Sequence, residues 1–96
     1  MASLHATTAF TRWLEKLADV RARAIIVERL QRVARGLEGD IRSIGNGVSE
    51  LRIGYGPGYR VYFTRREGTI VVLLIGGDKS TQPRDIRRAI AMASRV

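Results

Sequence analysis

Arg52 and Arg60 stand on either side of a glycine-rich connection in ELRIGYGPGYRVYF, residues 50–63. Leu51 and Ile53 alternate with Glu50 and Arg52, and Tyr59, Val61 and Phe63 alternate with Arg60 and Tyr62. That period of two is the mark of half-buried strands. If the strands pair, the apolar set points inward, and Glu50, Arg52, Arg60 and Tyr62 share the polar face. Two guanidinium groups on one face can converge on one phosphate. Tyr62 would add a ring able to stack on a base, or a hydroxyl able to hydrogen-bond. The alternation also fits a solvated charged face, and spacing alone leaves that the better account.

A second stretch with possible chemistry is GGDKSTQPRDI, residues 76–86. It follows an apolar run and opens a helix, so its backbone amides could bind phosphate, and it carries Lys79. It lacks the G-x-x-x-x-G-K-[ST] order of a nucleotide-binding loop. A capped helix start with loop charges explains it equally well.

Other chemistries are poorly supplied. His5 is the only histidine and there is no cysteine. No His/Cys cluster suggests zinc, no carboxylate group suggests magnesium, and no cofactor is expected. Ser and Thr have no histidine partner for acyl transfer. A nuclease built on this chain would work without a metal and without a histidine pair. Arg, Lys, Tyr or Asp would then position groups and stabilise charge.

The balance of charge agrees with a polyanionic partner. The 96 residues carry 17 Lys and Arg against 9 Asp and Glu, for a net charge of +8. Nearly all the cations are arginine, the lysines being Lys16 and Lys79. Arginine suits bidentate phosphate recognition, although an Arg- and Ala-rich composition also follows from a GC-rich genome. The length allows one domain, residues 1–96. The N-terminus lacks the basic start and apolar core of a signal peptide. The longest apolar run, IVVLLI at 70–75, is too short to span a bilayer. A cytoplasmic protein that does not enter membranes is expected.

The elements that must position these residues follow from periodicity. Residues 3–7 read as a short edge strand or a frayed end. Thr7 or Thr8 can cap a helix whose apolar stripe is Phe10, Trp13, Leu14 and Leu17. Asp19 marks a break. A second helix over about 20–35 presents Ile26, Leu30, Val33 and Leu37, and Gly36 and Gly39 end it. Gly45-Asn46-Gly47 signals a turn after a short strand at 41–44. Strands at 49–53 and 59–64 follow, joined by a longer loop in which Pro57-Gly58 suits the centre of a type II turn. Residues 69–75 are apolar on both parities, so that strand should be covered on both faces. Residues 76–85 read as a loop into a last helix, with Thr81 or Gln82 as N-cap and Ile86, Ala89, Ile90 and Ala93 inward. Short connections between consecutive strands call for antiparallel pairing. The expected fold is α+β, with two N-terminal helices on a small curved antiparallel sheet and a C-terminal helix.

The segments GVSELRIGYGPGYRVYF (47–63) and IVVLLIGGDKSTQPRDIRRAIAMA (70–93) resemble the RelE/ParE superfamily of toxins from type II toxin–antitoxin modules. They are most similar to its HigB-like addiction module killer branch, and the resemblance runs from Phe10-x-x-Trp13-Leu14 to the last helix. It implies a toxin fold neutralised by an antitoxin that carries a helix-turn-helix domain. RelE- and HigB-type members cut mRNA in the ribosomal A site without a cofactor. ParE-type members share the fold and inhibit DNA gyrase instead, and both readings stay open at this stage, as does a degenerate module that only binds its partner. Arg52 matches the basic position of the ELR strand, Arg60 the arginine of the YR strand, and Lys79 the basic loop after the last strand. These three are the implied catalytic residues, with Tyr62 and Gln82 as RNA contacts. Two positions depart from the pattern: Gln82, Asp85 and Ile86 stand where some nuclease members carry a tyrosine, and Glu50 replaces a second basic residue. The implied reaction is attack of a ribose 2′-OH on its adjacent phosphate. Arg52 and Arg60 would stabilise the phosphorane, while Lys79, Asp78 or a ribosomal group moves the protons.

Overall fold

The computed structural model describes residues 1–37 and 39–96. The chain runs β1 (Ser3–Ala6), α1 (Thr8–Lys16), α2 (Val20–Ala34), β2 (Ile41–Gly45), β3 (Val48–Ile53), β4 (Tyr59–Arg66), β5 (Ile70–Asp78), a 3₁₀ turn (Lys79–Thr81) and α3 (Gln82–Ala93). The strands form one sheet in the order β1-β5-β4-β3-β2. The α+β architecture is the expected one. β2 to β5 pair antiparallel, while β1 joins β5 in parallel, because α1 and α2 carry the chain away before it returns to the sheet.

The helix starts are local. The Thr7 side chain accepts a hydrogen bond from the Phe10 N–H at 3.0 Å, and the Asp19 side chain accepts one from the Ala22 N–H at 3.1 Å. Each oxygen satisfies an amide that the helix cannot. Asp19 is thus both the break and the second cap. α2 ends at Ala34, one turn before Leu37, which is left 54% exposed instead of joining the core stripe.

Two apolar layers sandwich the sheet. On one face Phe10, Ile26, Leu30 and Val33 pack on Leu51, Ile53, Val61, Phe63, Val71 and Leu73. On the other, Ala89 and Ala93 of α3 pack on Val48, Tyr62, Leu74 and Ile75. β5 is covered on both faces, as its apolar run requires. It continues three residues further than the sequence suggests, through Gly76, Gly77 and Asp78. A Cβ on Gly76 would collide with the Trp13 ring and one on Gly77 with the Asp85 carboxylate. The two glycines that read as loop therefore let helices approach both sides of a strand. The β3–β4 loop is long, as expected, but its turn closes one residue early, the Gly58 N–H donating to the Tyr55 carbonyl.

Candidate phosphate-binding site

The pairing of β3 with β4 places Arg52 directly opposite Arg60. The Arg52 N–H donates to the Asp40 carbonyl, away from β4. The arginines are therefore a non-hydrogen-bonded pair, the kind in which Cα atoms approach to about 4.5 Å and side chains lie closest. Like charges in that position destabilise a sheet unless something offsets them. Asp40 does so on one side: Arg52 Nη2 donates to Asp40 Oδ1 at 2.8 Å. On the other side Arg60 Nη1 donates to the Gly58 carbonyl at 2.7 Å. Gly58 has φ +79°, and a Cβ there would meet Arg60 Nη1 at 2.9 Å and Lys79 Cβ at 3.5 Å. Glycine is needed at this position for its conformation and for its space.

Asp40, Arg52, Gly58, Arg60 and Lys79 line a shallow cleft of about 360 Å³. The Nε atoms of Arg52 and Arg60 are both buried without a hydrogen-bond partner among the described residues. The hydrogen bond from Arg52 lowers the Asp40 pKa, helped by the charges of Arg52, Arg29 and Arg60. Asp40 is thus an anion at neutral pH, paired with Arg52 at the edge of the cleft.

The remaining residues expected at the site divide clearly. Lys79 is exposed and shares the cleft with the arginines. Tyr62 does not present a ring to solvent: it is 0% exposed, beneath α3. The expectation of a base-stacking tyrosine is corrected, because the polar face of the sheet is roofed by the last helix. Burial, then the nearby Glu50 charge, raises the Tyr62 pKa. Its hydroxyl has no partner among the described residues. Gln82 is half-buried and turned inward, its Nε2 donating to Glu50 Oε2 at 2.8 Å. Glu50 was expected to point outward to solvent and is instead fully buried, holding Arg42 Nε at 2.8 Å on its other oxygen. Burial acts to raise its pKa, but the hydrogen bonds from Arg42 and Gln82 outweigh it and leave the carboxyl below its usual range. Asp78, a candidate for proton transfer, is engaged in capping the 3₁₀ turn through Ser80. The Ser80 hydroxyl, donating to Asp78 Oδ1, lowers the Asp78 pKa most, and the Ser80 and Thr81 amides and the Arg60 charge add to the effect.

Sequence reasoning missed Asp40. Its signal was register: with Ile41 opposite Leu51 across the Asn46-Gly47 turn, Asp40 falls opposite Arg52.

Comparison with known proteins is consistent with this geometry. Residues 12–95 match the model of the family described as Phage derived protein Gp49-like. A protein of Haemophilus influenzae, described as uncharacterized, is 48% identical over 90 residues, covering 94% of this chain and 91% of its own. The free-state structure of E. coli toxin RelE, carrying two arginine-to-alanine substitutions, superposes with a TM-score of 0.77 over 100% of this chain and 99% of its own, at 16% identity. The chain belongs to the phage-derived Gp49-like family, a family of RelE/HigB-type toxins of toxin–antitoxin systems, and has the RelE fold.

Proposed function

We propose that this toxin is a ribosome-dependent, metal-independent endoribonuclease that cuts mRNA and so arrests translation. The observation that carries the reading is the directly opposed Arg52–Arg60 pair, sharing one cleft with Lys79. The ribose 2′-oxygen attacks its adjacent phosphorus, the P–O5′ bond breaks, and a 2′,3′-cyclic phosphate and a free 5′-OH result. Preorganised cations aimed at the pentavalent centre supply the electrostatic stabilisation. Arg52 and Arg60 take that role, and Lys79 lies where it can neutralise or protonate the leaving oxygen. An arginine holds its proton too tightly at neutral pH to serve as the base. Phosphate binding to Arg52 would release Asp40, a carboxylate then free to accept the 2′ proton. Neutralisation falls to an antitoxin, whose expected helix-turn-helix domain belongs to the HigB-like branch, and the reaction takes place in the cytoplasm.

Mapping mRNA 5′ ends after induction tests the reading. Cuts within translated codons are expected, and Arg60→Ala should abolish both the cuts and the growth arrest while keeping the fold. Intact mRNA together with a DNA-damage response would replace this reading with gyrase inhibition.

A further inference from the structure

β1 pairs with β5 only from Ile70 to Leu73, yet β5 runs on to Asp78. Beyond Leu73 no strand of the described residues flanks β5 on that side. The Thr7 hydroxyl ends the paired section by donating to the Leu74 carbonyl at 2.7 Å. At the far end the Asp78 N–H turns away from the sheet to Thr81 Oγ1 at 3.2 Å. Backbone groups alternate in direction along a strand. The N–H and C=O of Gly76, between these two, therefore point into the gap.

The gap is a cleft of about 480 Å³ between α1 and α3. Arg12 and Lys16 line it from α1, and Arg84 and Arg88 from α3. All four are exposed. Arg12, Lys16 and Arg88 have no side-chain partner among the described residues, and Arg84 lies 3.7 Å from Asp85. The neighbouring carboxylates are already engaged, Asp78 with Ser80 and Asp85 with Thr81. A free strand edge accepts another strand through its main chain. A DNA backbone offers only acceptors and would leave the Gly76 carbonyl without a donor.

We propose that this open half of β5 is the docking site for a short, extended, acidic segment of the antitoxin. The segment adds to the sheet in the lane that β1 leaves empty. Between the Thr7 and Thr81 contacts the lane is open at Gly76, so one residue of the segment pairs there through its main chain and its neighbours are held by the flanking cations. Side chains of a strand alternate between faces, so carboxylates on one parity meet Arg12 and Lys16, and those on the other meet Arg84 and Arg88. The proposal rests on the chain being an antitoxin-neutralised toxin and is independent of whether it cuts RNA.

The test is a titration of the isotopically labelled full chain with an end-capped octapeptide of glutamate and valine, followed by NMR. The Gly76 amide and its neighbours should shift, and Gly76 hydrogen exchange should slow. A counterpart peptide with prolines at alternate positions should bind at least tenfold more weakly, and so should the parent peptide to Arg12→Glu/Arg88→Glu. Retained peak dispersion certifies that the variant is folded. The proposal is overturned by equal binding of the proline peptide, by shifts confined to the separate apolar groove that Leu14 of α1 and Val20 and Val27 of α2 line, or by no binding. Perturbation of Gly76 by a DNA oligonucleotide but not by the peptide also overturns it. None of these outcomes bears on mRNA cleavage, which is scored separately by end mapping.

Discussion

On the α1–α2 face of the sheet, Leu51, Ile53, Val61, Phe63, Val71 and Leu73 meet helix side chains in a cluster that is apolar apart from Tyr59. On the α3 face, Val48, Leu74 and Ile75 share the space with buried Glu50, Tyr62, Thr64 and Asp85. The same strands make both faces, and the two parities of each strand supply them. The small residues Ala89 and Ala93 bring α3 against the second face, and Gln82 reaches Glu50 from its first turn. Arg52 and Arg60 carry the same face beyond this helix start, and they open into the cleft with Lys79. The first face supplies most of the fold's stability. The second is a graded surface, dry and networked under the helix and open where the helix begins.

The comparison breaks most easily at its apolar side. Phe63→Ala, at a side chain with no exposure, should cost about 4 kcal/mol in urea unfolding, without altering phosphate affinity per folded molecule. Glu50→Ala should cost about 3 kcal/mol, less than a deeply buried ion pair, because Arg42 keeps 49% of its side chain exposed. A loss below about 0.5 kcal/mol would mean that the network under α3 is ornamental. Arg60→Ala should instead reduce mRNA cleavage about a hundredfold while stability stays within about 0.5 kcal/mol. If it unfolds the protein, the arginines belong to the scaffold and the two faces do not divide as described.

Acid should separate the faces further. The Glu50 carboxyl is depressed in the folded chain, so its contribution is complete above the unfolded value of about 4.3. It is lost as pH falls through the lower folded value. Unfolding free energies between pH 7 and pH 3 should therefore decline, and Glu50→Gln should flatten the decline. Some slope must remain, since Asp19, Asp40 and Asp78 are lowered too. The smallest effect sits at the rim: Asp40→Asn should tighten phosphate binding a few-fold by isothermal titration, with little change in unfolding at neutral pH. Weaker binding would show that Asp40 orients Arg52 instead of competing for it.

Much of the fold was legible because it rests on local rules. Thr7 and Asp19 are short polar residues at helix starts, and the Leu51/Ile53 and Val61/Phe63 alternation gave the inner face and put Arg52 and Arg60 together on the other. What was not legible depended on a distant element. A strand pattern cannot tell solvent from a polar-footed helix, so Glu50 and Tyr62 read as outward. Gly76 and Gly77 read as loop because the reason for them lies in Trp13 and Asp85. The cleft was half visible: its cations could be named, but its carboxylate needed the β2–β3 register.

The Arg42–Glu50–Gln82 bridge ties β2, β3 and α3 through one carboxylate. A basic residue at position 50 would face the Arg42 guanidinium, and Gln82 would have to turn its amide to present Oε1. A change of charge at position 50 therefore calls for a matching change at position 42, so the two are expected to vary together.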